Sequence, residues 1–350
     1  MRPLAASPQA IRHSPFVMLS EFSLIDRYFA RRARTNTRRA VLGIGDDCAL
    51  IAPAAGEMLA VSTDMLVEGR HFFPDIDPHA LGHKALAVNL SDLAAMGAQP
   101  LGFTLAFALP KPAEDWLAAF SAGLFELADR YDCELIGGDT TAGPLNLCLT
   151  VFGSVRQDVA LRRDAARAGD DIWISGTPGD ARASLGLLRG EWQVNGQTNE
   201  QDAAHFRRAL EYPEPRVALG LALRGVARAA LDVSDGLAGD LLHILERSNL
   251  AATIDVDSLP ISPALARLPR DVQLQCALAG GDDYELCFTA APGQRAAVEA
   301  AAQHAGVRVT RIGTMSALAS PQTAPAIAWR DAAGTMLNLM LQGFDHFHAD

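Results

Sequence analysis

The sequence predicts an α/β architecture in two parts, on three observations. Its 350 residues are 49% hydrophobic, more chain than a single core usually organises. Short strand-like runs alternate with segments of helical period. Several of those runs close on Gly-Asp pairs, which punctuate strand ends, and no repeat of 20 to 50 residues points to a solenoid.

Residues 1–17 carry three prolines and little periodicity; a disordered extension is expected there, ahead of a targeting signal suggested by Arg2 and Arg12. The fold is expected to begin at Met18, where MLSEFSLIDRYFA places Phe22, Ile25 and Phe29 on one helical face. VLGIGDD (Val41 to Asp47) and LAVSTD (Leu59 to Asp64) read as strands ending in carboxylates. From Leu81 to Met96 a helix is predicted, with Leu86, Leu90 and Leu93 in one stripe, Ala85, Asn89 and Asp92 beside it, and Gly97 as its stop. LGFTLAFAL (Leu101 to Leu109) alternates as a half-buried strand, a helix follows from Glu114 to Tyr131, and ELIGGD ends another strand at Asp139. NLCLTVFGSV closes the first domain, 18–155. In the second, 156–350, IWISGTPGDARASLGLL and LDVSDGLAGDLLHILERS read as strand, turn and helix. CALAGGDDYELCFTA reads as two strand-like runs joined at Gly280 and Gly281, with a helix from Gln294 to Ala305 and a polar surface excursion at Glu191 to Gln201.

Asp and Glu outnumber Lys and Arg by 41 to 30, a formal charge of −11, and the one basic block, Arg31 to Arg39, is no nucleic-acid footprint. Five cysteines without a CxxC pair suit a reducing cytoplasm better than a disulfide framework or a thiolate zinc site. No apolar run approaches the ~20 residues that span a bilayer. A soluble cytoplasmic protein is expected.

Four glycine-acid clusters stand out: Gly45-Asp46-Asp47, Gly137-Gly138-Asp139, Asp232 to Gly236, and Gly280 to Asp283. Each alone is ordinary turn chemistry. Together with Asp64 and Asp92 they would repel one another unless cations neutralised them, and hard oxygen donors favour Mg²⁺ bound with phosphate. The chain has no GxxxxGK[ST] loop and none of the HRD and DFG elements of protein kinases. SGTPG (Ser175 to Gly179) reads as a plain strand-to-helix turn, and Cys48 as a small buried hydrophobe.

GIGDDCAL, VSTDMLVEGRHF, HKALAVNLSDLAAMGAQP, LIGGDTTAG, ALRRDAARAGDDIWISGTPG, LDVSDGL, GGDDYEL and GFDHF, in that order, resemble the thiamine-monophosphate kinase family over nearly all of the chain from Met18. The resemblance implies a PurM-like two-domain fold, shared with aminoimidazole ribonucleotide synthetase and selenophosphate synthetase. Its N-terminal domain would give strands to the barrel of a homodimer with nucleotide sites near the interface. The implied partners are thiamine monophosphate and ATP with Mg²⁺. Carried over, the magnesium ligands fall on Asp46, Ser62, Thr63, Asp64, Asp92, Asp139, Asp232 and Asp235, and the nucleotide contacts on Gly138, Asp139, Arg163 and Ser234. Contacts to thiamine phosphate fall on His71, Glu285 and Phe344, the last a Trp in many relatives. No acid-base catalyst and no phosphoenzyme are expected, because a phosphate monoester with a second pKa near ~6 is already mostly dianionic at neutral pH. Of the competing readings, a selenophosphate synthetase would need a reactive Cys with a nearby Lys before Val41. A hydrogenase-maturation carrier would need a C-terminal cysteine where Asp350 stands. A silent Mg-nucleotide sensor is set apart only by product formation.

Overall fold

The computed structural model describes residues 21–30, 40–44, 47–192, 199–320, 322–339 and 341. The expected extension 1–17, Gly45, Asp46 and Phe344 lie outside the described residues. The first helix, α1 (Glu21–Leu24), runs into a π turn at Ile25–Phe29. Its buried residues are Leu24 and Phe29, and Phe29 sits edge-on to Phe107 and Phe120.

A short pair, β1 (Ala40–Leu42) and β2 (Leu50–Ile51), precedes β3 (Glu57–Val67), α2 (Pro78–Ala95), β4 (Gln99–Leu109), α3 (Glu114–Arg130), β5 (Glu134–Ala142) and β6 (Asn146–Arg156). These build a four-stranded sheet of order β3-β6-β4-β5, antiparallel except for β4 and β5, which are joined through α3 and run parallel. Asp64 and Asp139, expected at strand ends, lie inside strands that continue to Val67 and Ala142. The helices cover one face of the sheet. Strand alternation turns Leu59, Val61 and Met65 to the other face, where they are 43%, 58% and 55% exposed.

The second half holds β7 (Asp171–Ser175), α4 (Asp180–Leu188), α5 (Glu200–Glu211), α6 (Val217–Ala222), β8 (Ala230–Asp232), α7 (Leu237–Ser248), β9 (Leu250–Asp255), α8 (Arg270–Ala279), β10 (Leu286–Ala290), α9 (Arg295–Ala305), β11 (Val309–Ala317), β12 (Ile327–Arg330) and β13 (Met336–Leu337). Cys276 to Ala279, expected as a strand, is the last turn of α8; a short apolar run has no period of its own to decide the matter. The seven strands order as β13-β12-β9-β11-β7-β10-β8. Ile172, Ile174, Leu231 and Cys287 face the core under α7, while Trp173, Leu286 and Phe288 face a core shared with the first half.

Helix α2 is the wedge between the sheets. Asp77 caps it through the His79 N–H at 2.7 Å with Pro78 in the first turn, and Gly97 at φ +61° follows its last turn. Leu81, Leu86, Leu90 and Leu93 are at most 1% exposed, each stabilising by about 1.5–3 kcal/mol. The helix packs on α3, α6, β3, β6 and β8, so it is buried on nearly every side. Polar groups on such a helix exist for what they meet.

Candidate active site

Two cavities meet beside α2. The larger, about 1180 Å³, is lined among others by Thr63, Asp64, His71, Lys84, Asp92, Asp232, Ser234, Asp235, Asp282 and Tyr284. The smaller, about 430 Å³, is lined by Ser62, Asp92, Arg162, Arg163, Asp232 and Arg247 among others. Asp92 and Asp232 belong to both linings and form the wall they share.

Three elements deliver these acids. β3 alternates, so Ser62 and Asp64 point toward α2, and the Ser62 hydroxyl donates to Asp92 Oδ2 at 2.5 Å. Lys84, Val88 and Asp92, at i, i+4 and i+8 of α2, line the larger cavity together. β8 ends on Asp232, 5% exposed, and the turn after it is held from beneath. There the N–H groups of Ser234, Asp235 and Gly236 donate to Asp240 Oδ2 at 3.0, 3.0 and 3.1 Å. The facing loop 280–285 is laced to this turn by Asp282 N–H to the Ser234 carbonyl and Tyr284 N–H to the Val233 carbonyl, each 2.8 Å. Gly281 permits that approach: a Cβ there would lie 2.2 Å from the Ser234 oxygen.

Burial, then the nearby Asp92 charge, pushes Asp64 up to about 7. Burial and Asp92 do the same to Asp232, also about 7. Asp92 is itself raised by burial, while the Ser62 hydrogen bond and the Arg163 charge pull it back. Three carboxylates so placed cannot all ionise cheaply, and a divalent cation would replace the protons they retain. Among the described residues no three His, Cys, Asp or Glu side chains gather tightly enough to hold an ion alone.

The other expected residues fall as follows. His71 lines the large cavity, its Nδ1 accepting from the Val67 N–H at 3.0 Å. Arg162 is occupied by Asp164 at 2.5 Å, leaving Arg163 as the arginine whose charge acts on Asp92. Gly138 and Asp139 lie outside both linings, on the edge strand β5, three strand spacings or about 14 Å from β3. A Cβ at Gly138, φ +154°, would stand 1.9 Å from the Leu105 carbonyl oxygen. Glu285 also lies outside both linings; 5% exposed, it takes Arg216 Nε on Oε2 at 2.7 Å, Arg216 Nη2 on Oε1 at 2.5 Å, and the Ser175 hydroxyl at 2.5 Å. The SGTPG turn is closed, because the Gly179 N–H donates to both oxygens of Asp283, at 2.9 and 2.8 Å. Cys48 is exposed rather than buried.

Comparison with known proteins bears on this site. The model of the AIR synthase related protein N-terminal domain matches residues 45–155 and that of the C-terminal domain residues 167–321. Thiamine-monophosphate kinase of Salmonella typhimurium is 51% identical over 298 residues, covering 85% of this chain and 90% of that protein. The crystal structure of thiamine-monophosphate kinase from Stenotrophomonas maltophilia superposes with a TM-score of 0.79 at 51% identity, over 88% of this chain and 96% of that one. The chain belongs to the thiamine-monophosphate kinase family. A more distant member, AaThiL complexed with AMPPCP and TMP, matches at 26% identity and a TM-score of 0.71, over 94% of this chain and 97% of its own. The PurM-like fold expected from the motifs is therefore this chain's fold.

Sequence reasoning passed over Lys84, Asp240, Asp282 and Tyr284 as site residues. Lys84 had a signal: the lone lysine of a largely apolar segment, two turns before Asp92 on the same helical face. Asp282 had none, because GGDDYEL offers three acids and only backbone direction decides which meets the cavity. Among the described residues no helix is long and apolar enough to cross a membrane.

Proposed function

We propose that this chain transfers the γ-phosphoryl group of ATP to the phosphate of thiamine monophosphate, releasing ADP and thiamine diphosphate. The observation that carries the reading is the shared wall: two cavities of unequal size touch at Asp92 and Asp232, so two phosphate-bearing substrates can meet end to end there. The family relatives are thiamine-monophosphate kinases, and one member is a complex with AMPPCP, an ATP analogue, and TMP. The smaller cavity, with Arg163, suits the nucleotide. The larger, with His71 and Asp282, suits the organic acceptor, and on this geometry Asp282 takes the substrate contact first expected at Glu285.

The reacting oxygen belongs to a phosphate already mostly dianionic at neutral pH; no side chain has to remove a proton, and the γ-phosphorus to bridging-oxygen bond breaks as the new one forms. Asp64, Asp92 and Asp232, with Ser62, Thr63, Asp235 and Asp46, would hold Mg²⁺, which when bound screens the two phosphates and stabilises charge on the transferred group. The chain's own work is alignment. Arg163 steadies Asp92 from the nucleotide side, and the Asp240-held turn fixes Ser234 and Asp235.

The apolar open face of β3 supports a homodimer in which a second copy covers Leu59, Val61 and Met65, bringing β5 with Gly138 and Asp139 to the interface. The free cysteines support a cytoplasmic setting. Purified protein given ATP, Mg²⁺ and thiamine monophosphate should form thiamine diphosphate, with free thiamine unreactive. ATP bound without turnover would favour the silent sensor instead.

A further inference from the structure

Among the described residues Lys84 is the largest buried polar side chain, 2% exposed, on a helix whose neighbouring residues Leu81, Ala85, Leu86, Ala87 and Val88 are at most 3% exposed. An ammonium so placed is costly unless a carboxylate meets it. Its partner is Asp282, at 3.1 Å from Nζ to Oδ1, and the Asp282 side chain is 32% exposed, toward the large cavity. The Tyr284 hydroxyl donates to the same oxygen at 3.0 Å. Both grips fall on Oδ1.

The backbone under this carboxylate is unusual. Asp282 and Tyr284 have φ of +65° and +53°, the left-handed region that side-chain-bearing residues enter only under strain. Such strain persists only where surroundings over-determine it. Here the amides of both residues are held by the 233–234 turn, and the side chain by Lys84 from the central helix. The pair lies roughly 12 Å along α2 from Asp92, eight residues at 1.5 Å each, away from the phosphate end.

We propose that Lys84 is a positioning residue for acceptor recognition, acting through Asp282. With Tyr284 it clamps Oδ1, balances the charge among the acids, and leaves Oδ2 directed to the cavity as a fixed acceptor for the organic part of the phosphate-accepting substrate. The inference rests on the functional reading above, which places the acceptor in the larger cavity. A buried pair serving the fold alone would be replaceable by apolar groups with no effect on substrate. A positioning pair would not.

The test uses the full chain and four variants: Lys84→Met, Lys84→Arg, Asp282→Asn, and Lys84→Met with Asp282→Asn. The double variant removes both charges together and keeps the result readable should Lys84→Met fold poorly. Lys84→Met is expected to raise KM for thiamine monophosphate about 10- to 100-fold, with kcat and KM for ATP within about 3-fold. Lys84→Arg should recover most of that loss. The double variant should be no worse than the poorer single one, because both lose the same presented oxygen. Multiplying effects in the double variant, or a lowered Tm with unchanged KM in Lys84→Met, would overturn the proposal. Thermal shift of each protein by thiamine monophosphate alone separates the two readings. A wild-type protein that binds it without turnover refutes the kinase reading while the variants still decide on Lys84. A wild-type protein that neither binds nor turns it over overturns both.

Discussion

Substituting Val61 by Glu tests the expected dimer at its most exposed point. Val61 pairs across the sheet with Phe152 and is 58% exposed. Full burial of an aliphatic side chain is worth about 1.5–3 kcal/mol, so the portion still open is worth roughly 1–2 when a second copy covers it. A two-fold axis presents the residue twice, making about 2–4 kcal/mol, or roughly 30- to 700-fold in dissociation constant. The unpaired carboxylates of the variant would add to this. In the separated subunit the same change sits on a solvent-facing strand, where propensity differences span only about 1 kcal/mol, so folding should survive. Sedimentation velocity over a concentration series reads the outcome directly. Wild-type protein should run at twice 37.2 kDa and Val61→Glu should dissociate at concentrations where wild type does not. A variant that sediments with wild type throughout would refute the reasoning, as would a wild type that stays a single active subunit at micromolar concentration.

Asp64→Asn and Asp92→Asn should each remove most turnover with the fold intact, since an amide keeps the shape but loses the charge that holds Mg²⁺; near-normal rates at saturating Mg²⁺ would defeat the ligand assignment. Because Asp64 and Asp232 stand near 7 in the folded chain and near 3.8 when unfolded, their contribution to metal-free stability is present below about pH 4 and lost as pH rises through about 7. Mg²⁺ displaces the retained protons, so the Tm gained on adding it should grow between pH 5.5 and 8, and a gain independent of pH would contradict that linkage. Arg216→Met leaves Glu285 buried without its counter-charge, held only by the Ser175 hydroxyl, at a typical cost of about 3–5 kcal/mol. It should lower Tm by several degrees while KM for thiamine monophosphate stays put; a raised KM at unchanged Tm would return Glu285 to the substrate.

How far the sequence could be read depended on what each residue's position is decided by. In the first half β3 to β6, α2 and α3 followed from their own periods, whereas β1 stops at Leu42, short of the expected Asp47, and the two-residue β2 is too short to carry a period; Asp92 was found because its helix and its motif both marked it. α2 as the central wedge did not follow, because a helix buried all round has no amphipathic stripe to read, and its Leu86, Leu90, Leu93 row is one apolar face among several. The helical nature of Cys276 to Ala279 rests on contacts of α8 with α4 and α7, which no local pattern encodes. The displacement of Gly138 and Asp139 from the other acids is a matter of strand order: residues adjacent in motif logic stand at opposite edges of a sheet once β6 inserts between β3 and β4.

The GGDDYEL segment shows why motif matching places a site to within a few residues and no closer. Asp282, Asp283 and Glu285 are chemically near-equivalent on paper, yet each meets a different environment. Positive φ at Asp282 turns its carboxylate to the cavity and Lys84. Asp283, between two residues of positive φ, points the other way and closes the Gly179 amide, where burial raises it well above the ordinary carboxylate range. Glu285 enters β10 and is taken up by Arg216 and Ser175. Three acids within four positions thus face the larger cavity, lock a helix start and tie the entry of β10 to β7 and the start of α6. Their assignment follows from backbone direction, which is fixed by two turns laced together at Ser234 and Val233 rather than by anything local to the segment. The same lacing ties the 280–285 loop to the Ser234–Asp235 turn, so two stretches of the larger cavity's lining are held to each other by backbone hydrogen bonds.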